Sequence, residues 1–136
     1  MEINSEKSGK HQFEHDWTGK VILIAEDVET SNKFFSAALK RTKATLLWAK
    51  NGREAIDIVL SNSQIDVILM DLNMPGLNGF EATKKIKEIR KKIPIIVQTA
   101  YLLSGEERMS YEAGADEFIS KPIKFAILLE TLKKFI

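Results

Sequence analysis

The sequence contains no cysteine and no long apolar run. Without cysteine the chain can form neither a disulfide framework nor a zinc–thiolate site, and this composition suits a reducing compartment. No stretch approaches the roughly 20 apolar residues of a membrane-spanning helix, and no signal peptide is expected at the start of the chain. We therefore expect a cytoplasmic protein without direct membrane contact.

An excess of charge of either sign is also missing. The chain has 20 basic and 19 acidic residues, which gives a formal net charge of +1. A nearly neutral protein has no overall attraction to nucleic acid or to anionic lipid. The lysines around Lys84 and Lys91 are more typical of the solvated face of a helix than of a phosphate-binding surface. We predict that nucleic acid is not a partner.

The length of 136 residues fits a single domain. A chain of this size buries roughly 68% of its unfolded surface, so it can fold without a disulfide or a structural metal. The hydrophobic content of 44% and the charged content of 29% are typical of a globular protein. The first residues are polar and charged, and we predict a flexible tail or linker over residues 1–17 and a folded domain over residues 18–136.

Five short segments have the composition of β-strands. Four of them are nearly continuous apolar runs, which are typical of strands buried on both faces of a parallel sheet. The fifth is weaker, and we predict that it forms an edge of the sheet. The predicted strands span residues 21–25, 45–49, 66–70, 94–99 and 117–120.

Between and after these segments, apolar residues recur at helical spacing. Residues 104–113 have few apolar positions and are predicted to form a short polar helix, the fourth, which ends at Gly114. The apolar positions of the other four helices are Phe34, Phe35, Ala38 and Leu39; Ala55, Ile56, Val59 and Leu60; Phe80, Ile86 and Ile89; and Phe125, Leu128, Leu129, Leu132 and Ile136.

The regular alternation of strand and helix predicts an α/β fold with a parallel sheet and helices on both faces. Right-handed crossovers place the carboxyl ends of all five strands at one edge of such a sheet. Ligands of these folds bind at that edge, at the point where the strand order reverses. Residues that follow the strands are therefore the candidates for chemistry.

Acidic, hydroxyl and amine side chains follow four of the predicted strands. Clustered carboxylates repel one another unless a cation is present, and Mg²⁺ prefers oxygen ligands. A lysine can neutralise phosphate charge and a hydroxyl can donate to a phosphoryl oxygen, so the set indicates phosphoryl chemistry. Each residue alone could be a turn or a helix cap, but those explanations do not predict the joint placement. The residues are Glu26 and Asp27, Asp71, Thr99, and Lys121 with Pro122.

These residues resemble the receiver domains of two-component response regulators, and the resemblance covers about residues 20 to 136. It implies a flavodoxin-like, doubly wound, five-stranded parallel sheet of order 2-1-3-4-5 with five helices on both faces. Residues 17–20 also resemble the junction that precedes the C-terminal receiver of a hybrid histidine kinase. The matching segments are residues 22–27, 67–76 with Gly79, 99–100, 113–116, Phe118, and 121–122.

The resemblance implies a role for each residue of the predicted metal site. Asp71 is similar to the aspartate that is phosphorylated, and it also contacts the metal. Asp27 is similar to a direct Mg²⁺ ligand, and Glu26 to an acid that acts through metal-bound water. Asn73 occupies the position whose backbone carbonyl completes the metal shell.

The resemblance also implies a conformational switch. Thr99 is similar to the hydroxyl that closes on the phosphoryl group, and Lys121 to the lysine that pairs with a phosphate oxygen, aimed by a cis bond before Pro122. Phe118 occupies the aromatic switch position, although a plain core aromatic is an equally simple explanation. The surface of the fourth helix, fifth strand and fifth helix is expected to change shape.

The expected partners follow from the same resemblance. A histidine kinase or a histidine phosphotransfer domain is expected to donate the phosphoryl group, and dimerisation through the receiver itself is possible in this family. The protein is expected to be a signalling phosphoacceptor that promotes only its own phosphorylation and dephosphorylation. It is not expected to be a turnover enzyme.

Three other functions use a similar sheet. A phosphatase of the haloacid-dehalogenase type needs a second acid two residues after its nucleophile, where this sequence has Asn73. A nucleotide-binding protein needs a glycine-rich loop after the first strand, where this sequence has acids. A degenerate receiver would act only as a docking module, but the complete set of acids, hydroxyl and lysine argues against it.

Overall fold

The computed structural model describes residues 15–100 and 105–136. Within this part of the chain, strands and helices alternate as the sequence predicts. A short 3₁₀ helix at Lys40–Thr42 follows the first α-helix. The elements are β1 (Val21–Ala25), α1 (Glu29–Leu39), β2 (Thr45–Ala49), α2 (Gly52–Ser61), β3 (Val67–Asp71), α3 (Gly79–Ile89), β4 (Ile95–Thr99), α4 (Glu106–Ala113), β5 (Glu117–Ser120) and α5 (Phe125–Lys133).

The described strands form one parallel sheet in the order β2-β1-β3-β4-β5. This confirms the predicted doubly wound fold and the prediction that β5 is an edge strand. From β1 the chain continues to β2 on one side of the sheet, and from β3 it continues to β4 and β5 on the other side. The strand order therefore reverses between β1 and β3, and a crevice lies beyond their carboxyl ends.

The sheet is covered on both faces at β1, β3 and β4, which explains their nearly continuous apolar runs. The prediction was wrong for β2, which forms the other edge of the sheet and is only partly buried, with Trp48 39% exposed. All five residues of β3 are buried. On one face Ile68 and Met70 pack with apolar residues of α2 and α3, such as Ile56 and Ile86. On the other face Leu69 and its neighbours pack with residues of α1 and α5. Alternating side chains of one strand thus belong to two separate core layers.

The packed body begins before residue 18, the predicted start of the domain. Trp17 is 6% exposed and belongs to the core layer under α1 and α5. Its backbone N–H donates to the Thr42 carbonyl at 2.6 Å. An indole buries a large apolar area, which accounts for its place in the core despite its polar neighbours in sequence. Residues 1–14 of the predicted tail lie outside the described residues.

Four apolar positions that the helical pattern assigned to the core are exposed instead, so that part of the prediction was wrong. Each helix buries a narrower stripe than the pattern suggested; in α1, for example, Phe35, Ala38 and Leu39 are buried. The described part of α4 begins at Glu106, after Gly105 in a left-handed turn, and residue 104 lies outside the described residues. The exposed residues are Phe34, Leu60, Ile89 and Phe125.

None of the described helices combines the length and the apolar character that a membrane crossing requires.

Candidate functional site

The crevice at the carboxyl edge of the sheet collects the predicted site residues. Glu26 follows β1, Asp71 is the last residue of β3, and Thr99 is the last residue of β4. The register pairs Ala25 with Met70, which places Glu26 beside Asp71 on neighbouring strands. The predicted third strand was shifted by one residue, because Asp71 belongs to the strand instead of following it. Its backbone is therefore fixed by the sheet.

Three carboxylates meet in this crevice. Glu26, Asp27 and Asp71 each offer an oxygen, and these oxygens lie within 4.8 Å of one another. Glu26 is 0% exposed and Asp71 is 1% exposed, whereas Asp27 is open to solvent. An all-oxygen donor set with an exposed acid on its rim suits a hard divalent cation that keeps some of its water, such as Mg²⁺.

Glu26 lies at the bottom of the cluster. Burial raises the pKa of its carboxyl group, and the nearby charge of Asp71 acts in the same direction, while the Val28 N–H and Lys121 oppose the shift. Both of its oxygens already have partners: Oε2 accepts from the Val28 N–H at 3.0 Å, and Oε1 lies 3.3 Å from the Lys121 ammonium. This arrangement fits an acid that acts on a cation indirectly.

Lys121 joins the cluster from the segment after β5. Its Nζ lies 3.3 Å from Oδ2 of Asp71 and 3.3 Å from Oε1 of Glu26. The peptide bond between Lys121 and Pro122 is cis, as predicted. The Lys121 N–H donates to the Thr99 carbonyl at 2.8 Å, which ties this segment to the end of β4. One ammonium group therefore faces the two buried carboxylates.

A chain of hydrogen bonds leads from Asp71 to α4. Oδ1 of Asp71 accepts from the Asn73 backbone N–H at 3.0 Å. The side-chain amide of Asn73 donates to Thr99 Oγ1 at 2.9 Å, and Thr99 Oγ1 donates to Glu106 Oε1 at 3.2 Å. Glu106 could not be predicted from the sequence, because an acid in the first turn of a helix is an ordinary residue.

Phe118 lies apart from the carboxylates. It is half-buried on β5 and packs against the core layer of α2 and α3. The register pairs it with Val97 of β4, two positions before Thr99, so Phe118 and Thr99 share one face of the sheet. This placement is compatible with both the switch role and the role of a core aromatic.

Gln98 is a second residue of the site region that the sequence pattern does not single out. It lies opposite Asp71 in the register of β3 and β4, and it is completely buried. Neither side-chain Oε1 nor Nε2 has a hydrogen-bond partner among the described residues. An unpaired buried amide destabilises a fold by about 1–3 kcal/mol. The only sign in the sequence is one polar residue within the apolar run of β4.

We expect the substitution Gln98→Leu to raise the free energy of unfolding by about 1 kcal/mol, because it replaces unpaired polar atoms with apolar ones of similar volume. Urea denaturation measures the effect. Gln64→Leu is the control and should bring no gain, because the exposed Gln64 amide donates to the Gly19 carbonyl at 2.6 Å. Equal or lower stability of Gln98→Leu would show that its amide is satisfied in solution.

The fold and the acidic crevice together define a phosphoacceptor domain of two-component signalling. The family model of the response regulator receiver domain matches residues 22–133, and the chain belongs to this family. The polar-differentiation response regulator DivK of Brucella anthropi is 34% identical over 120 residues, which cover 86% of this chain and 96% of DivK.

Solved structures support the same assignment. The chemotaxis protein CheY4 of Vibrio cholerae aligns with a TM-score of 0.79 and 27% identity over 86% of this chain and 98% of its own. The receiver domain of the sensor histidine kinase PA1611 from Pseudomonas aeruginosa has a TM-score of 0.79 and 29% identity, covering 87% and 98%. That structure holds a magnesium ion coordinated in its active site cleft. The relatives thus include both separate regulators and a kinase receiver.

Proposed function

We propose that Asp71 accepts a phosphoryl group from a phosphohistidine donor in the presence of Mg²⁺. The observation that carries this proposal is the joining of three carboxylates and one ammonium group at Asp71, with Lys121 Nζ 3.3 Å from its Oδ2. In the transfer, an Asp71 oxygen forms a bond to phosphorus while the bond from phosphorus to the donor imidazole nitrogen breaks. The imidazole keeps the electron pair of that bond and takes a proton.

Each remaining residue has a part in holding the group. Bound Mg²⁺ would neutralise charge on the transferred phosphoryl oxygens. Asp27 and Asp71 would hold the cation directly, Glu26 through water, and Asn73 through its backbone carbonyl. Lys121, which already faces Asp71, would pair with a phosphoryl oxygen. The exposure of Asp27 and Asn73 leaves the site open to the cation and to the donor.

The switch is part of the same proposal. A phosphoryl group on Asp71 would attract the Thr99 hydroxyl, and the space released beside β4 would let Phe118 turn inward. The surface of α4, β5 and α5 would then change. The few buried side chains of α4 support this step, because weakly packed elements move most readily. Phosphorylation can shift this equilibrium only by its different affinity for the two states.

The partners follow from the chemistry. The donor is a histidine kinase or a histidine phosphotransfer domain, and the cytoplasmic location is proposed because those donors transfer their phosphoryl groups there. An origin within a hybrid kinase and dimerisation through the α4–β5–α5 surface stay predictions. The net charge of +1 supports the proposal that nucleic acid is not bound.

The direct test is incubation of the purified chain with acetyl phosphate. With Mg²⁺, intact mass spectrometry should show one added phosphoryl group that hydroxylamine removes, as expected of an acyl phosphate. With excess chelator, the modification should be strongly reduced. A chain that takes up no phosphoryl group from this donor or from a phosphohistidine protein would act as a docking module only. Steady release of phosphate from ester substrates would instead identify a phosphatase.

We expect Asp27→Ala to weaken Mg²⁺ binding by about tenfold or more, because losing even an indirect metal contact has effects of that size. Isothermal titration or the magnesium dependence of NMR shifts measures the affinity. Asp57→Ala is the control, since Asp57 is an exposed acid of α2 and the net charge changes equally. An affinity unchanged by Asp27→Ala would mean that other groups hold the cation.

A further inference from the structure

The Thr99 hydroxyl connects the end of β3 to the first turn of α4. Its Oγ1 accepts a hydrogen bond from the Asn73 amide at 2.9 Å and donates to Glu106 Oε1 at 3.2 Å. A hydroxyl has only one proton to donate. While that proton points at the Glu106 carboxylate, it is not available to a new acceptor on Asp71.

We propose that Glu106 is a positioning residue whose carboxylate competes with a phosphoryl group on Asp71 for the proton of the Thr99 hydroxyl. This inference rests on the proposed function of Asp71. In the structure the hydroxyl is held toward α4. Phosphorylation turns it toward Asp71, and the hydrogen bond to Glu106 is lost.

The surroundings of Glu106 favour a firm hydrogen bond. Thr99 is completely buried and Glu106 is half-buried, so water screens their contact only in part. The acceptor is a carboxylate, and hydrogen bonds to charged groups are about twice as strong as neutral ones. The Glu106 carbonyl accepts from the buried Ser110 hydroxyl at 2.7 Å, which anchors the first turn of α4.

The competition has two consequences. Glu106 weakens the binding of a phosphoryl group, because the Thr99 hydroxyl must first leave its carboxylate. Loss of the same hydrogen bond removes a contact between β4 and the start of α4, where Gly105 provides no side-chain cap. Glu106 would thus set how strongly phosphorylation is coupled to the α4–β5–α5 surface.

Beryllofluoride, which mimics a phosphoryl group on an aspartate, provides the test. The full chain is titrated with beryllofluoride and Mg²⁺, and NMR shifts give the apparent affinity. We expect Glu106→Ala to bind the mimic about tenfold more tightly, which is the low end for a hydrogen bond to a charged group. Glu106→Gln keeps a neutral acceptor and should tighten binding by about threefold, because that hydrogen bond is about half as strong.

The decisive measurement is a double-mutant cycle with Thr99. In a Thr99→Val background, Glu106→Ala should no longer change the affinity, because the hydroxyl through which it acts is gone. In a Thr99→Ser background, which keeps a hydroxyl, the effect of Glu106→Ala should persist, and this arm stands even if Thr99→Val fails to fold. Tightening that survives in Thr99→Val, or disappears in Thr99→Ser, would overturn the inference.

Glu107→Ala is the matched control. Glu107 is the next residue of α4, it is exposed, and its removal changes the net charge equally. If Glu107→Ala tightens binding as much as Glu106→Ala does, general charge repulsion explains the result and the inference fails. Failure of the wild-type chain to bind beryllofluoride would contradict the proposed function itself, so the two failures are distinguishable.

Discussion

The substitution Asp71→Asn should abolish phosphoryl uptake, because an amide cannot act as the nucleophile in this transfer. The side chain keeps its size and one acceptor oxygen, so the Asn73 backbone N–H retains a partner. Incubation with acetyl phosphate and Mg²⁺, followed by intact mass spectrometry, measures the change. Modification that persists in this variant would place the acceptor elsewhere.

The stability of the Asp71→Asn variant shows whether loss of phosphoryl uptake results from unfolding. In buffer without a divalent cation, Asp71→Asn should unfold at the same urea concentration as the wild type or at a higher one. The reason is that burial raises the pKa of Glu26 and the neighbouring charge of Asp71 adds to this shift, so a neutral amide removes an unfavourable like charge from beside Glu26. Asp57→Asn, which changes an exposed acid of α2, should leave phosphoryl uptake intact.

The substitution Gly79→Ala should damage both the fold and the site. A Cβ at this position would lie 2.6 Å from the Asp71 carbonyl oxygen and 2.7 Å from the Leu72 Cα, which are backbone atoms. The end of β3 would have to move, and such overpacking costs about 1–3 kcal/mol, against which alanine recovers at most about 1 kcal/mol of helix propensity. We expect the free energy of unfolding to fall by about 1–2 kcal/mol.

The displacement of the end of β3 in Gly79→Ala should also slow phosphorylation, because it moves the backbone of Asp71. The rate of phosphoryl uptake per folded molecule measures this effect separately from stability. Gly76→Ala is a useful comparison: Gly76 has φ +76, and a Cβ there would meet no atom within 4 Å. The free energy of unfolding of Gly76→Ala should fall by about 1 kcal/mol because of backbone strain, and its phosphorylation rate should not change. If Gly79→Ala matches the wild type in both measurements, the prediction is wrong, and other parts of the chain move to accommodate the added Cβ.

The register of the sheet explains why the positions of the acids could be predicted. Glu26 and Asp71 follow apolar runs of similar length, and parallel neighbours place such residues side by side. Nothing in the sequence alone sets the strand order, because alternation of strands and helices permits several topologies. The order came from the resemblance, and the structure confirms it.

The helix faces were harder to predict. Phe34 and Phe35 are adjacent and equally apolar, yet Phe35 is 1% exposed and Phe34 is 37% exposed. Adjacent helical residues point about 100° apart, so only the packing of α1 on the sheet decides which ring enters the core. Tertiary packing also decides the burial of Trp17, because the core residues of its cluster come from distant parts of the chain.

The sequence by itself determined the α/β class, the parallel character of the sheet and the residue types at its carboxyl edge. The class and the residue types depend on the local composition of each segment. The arrangement of the strand ends depends on the right-handedness of strand–helix–strand crossovers, which does not vary with the sequence. Only the tertiary structure showed that Thr99 forms hydrogen bonds with Asn73 and Glu106, and that the buried Gln98 amide has no hydrogen-bond partner within residues 15–100 and 105–136. Such contacts join side chains of different elements, and their geometry exists only after the helices pack on the sheet.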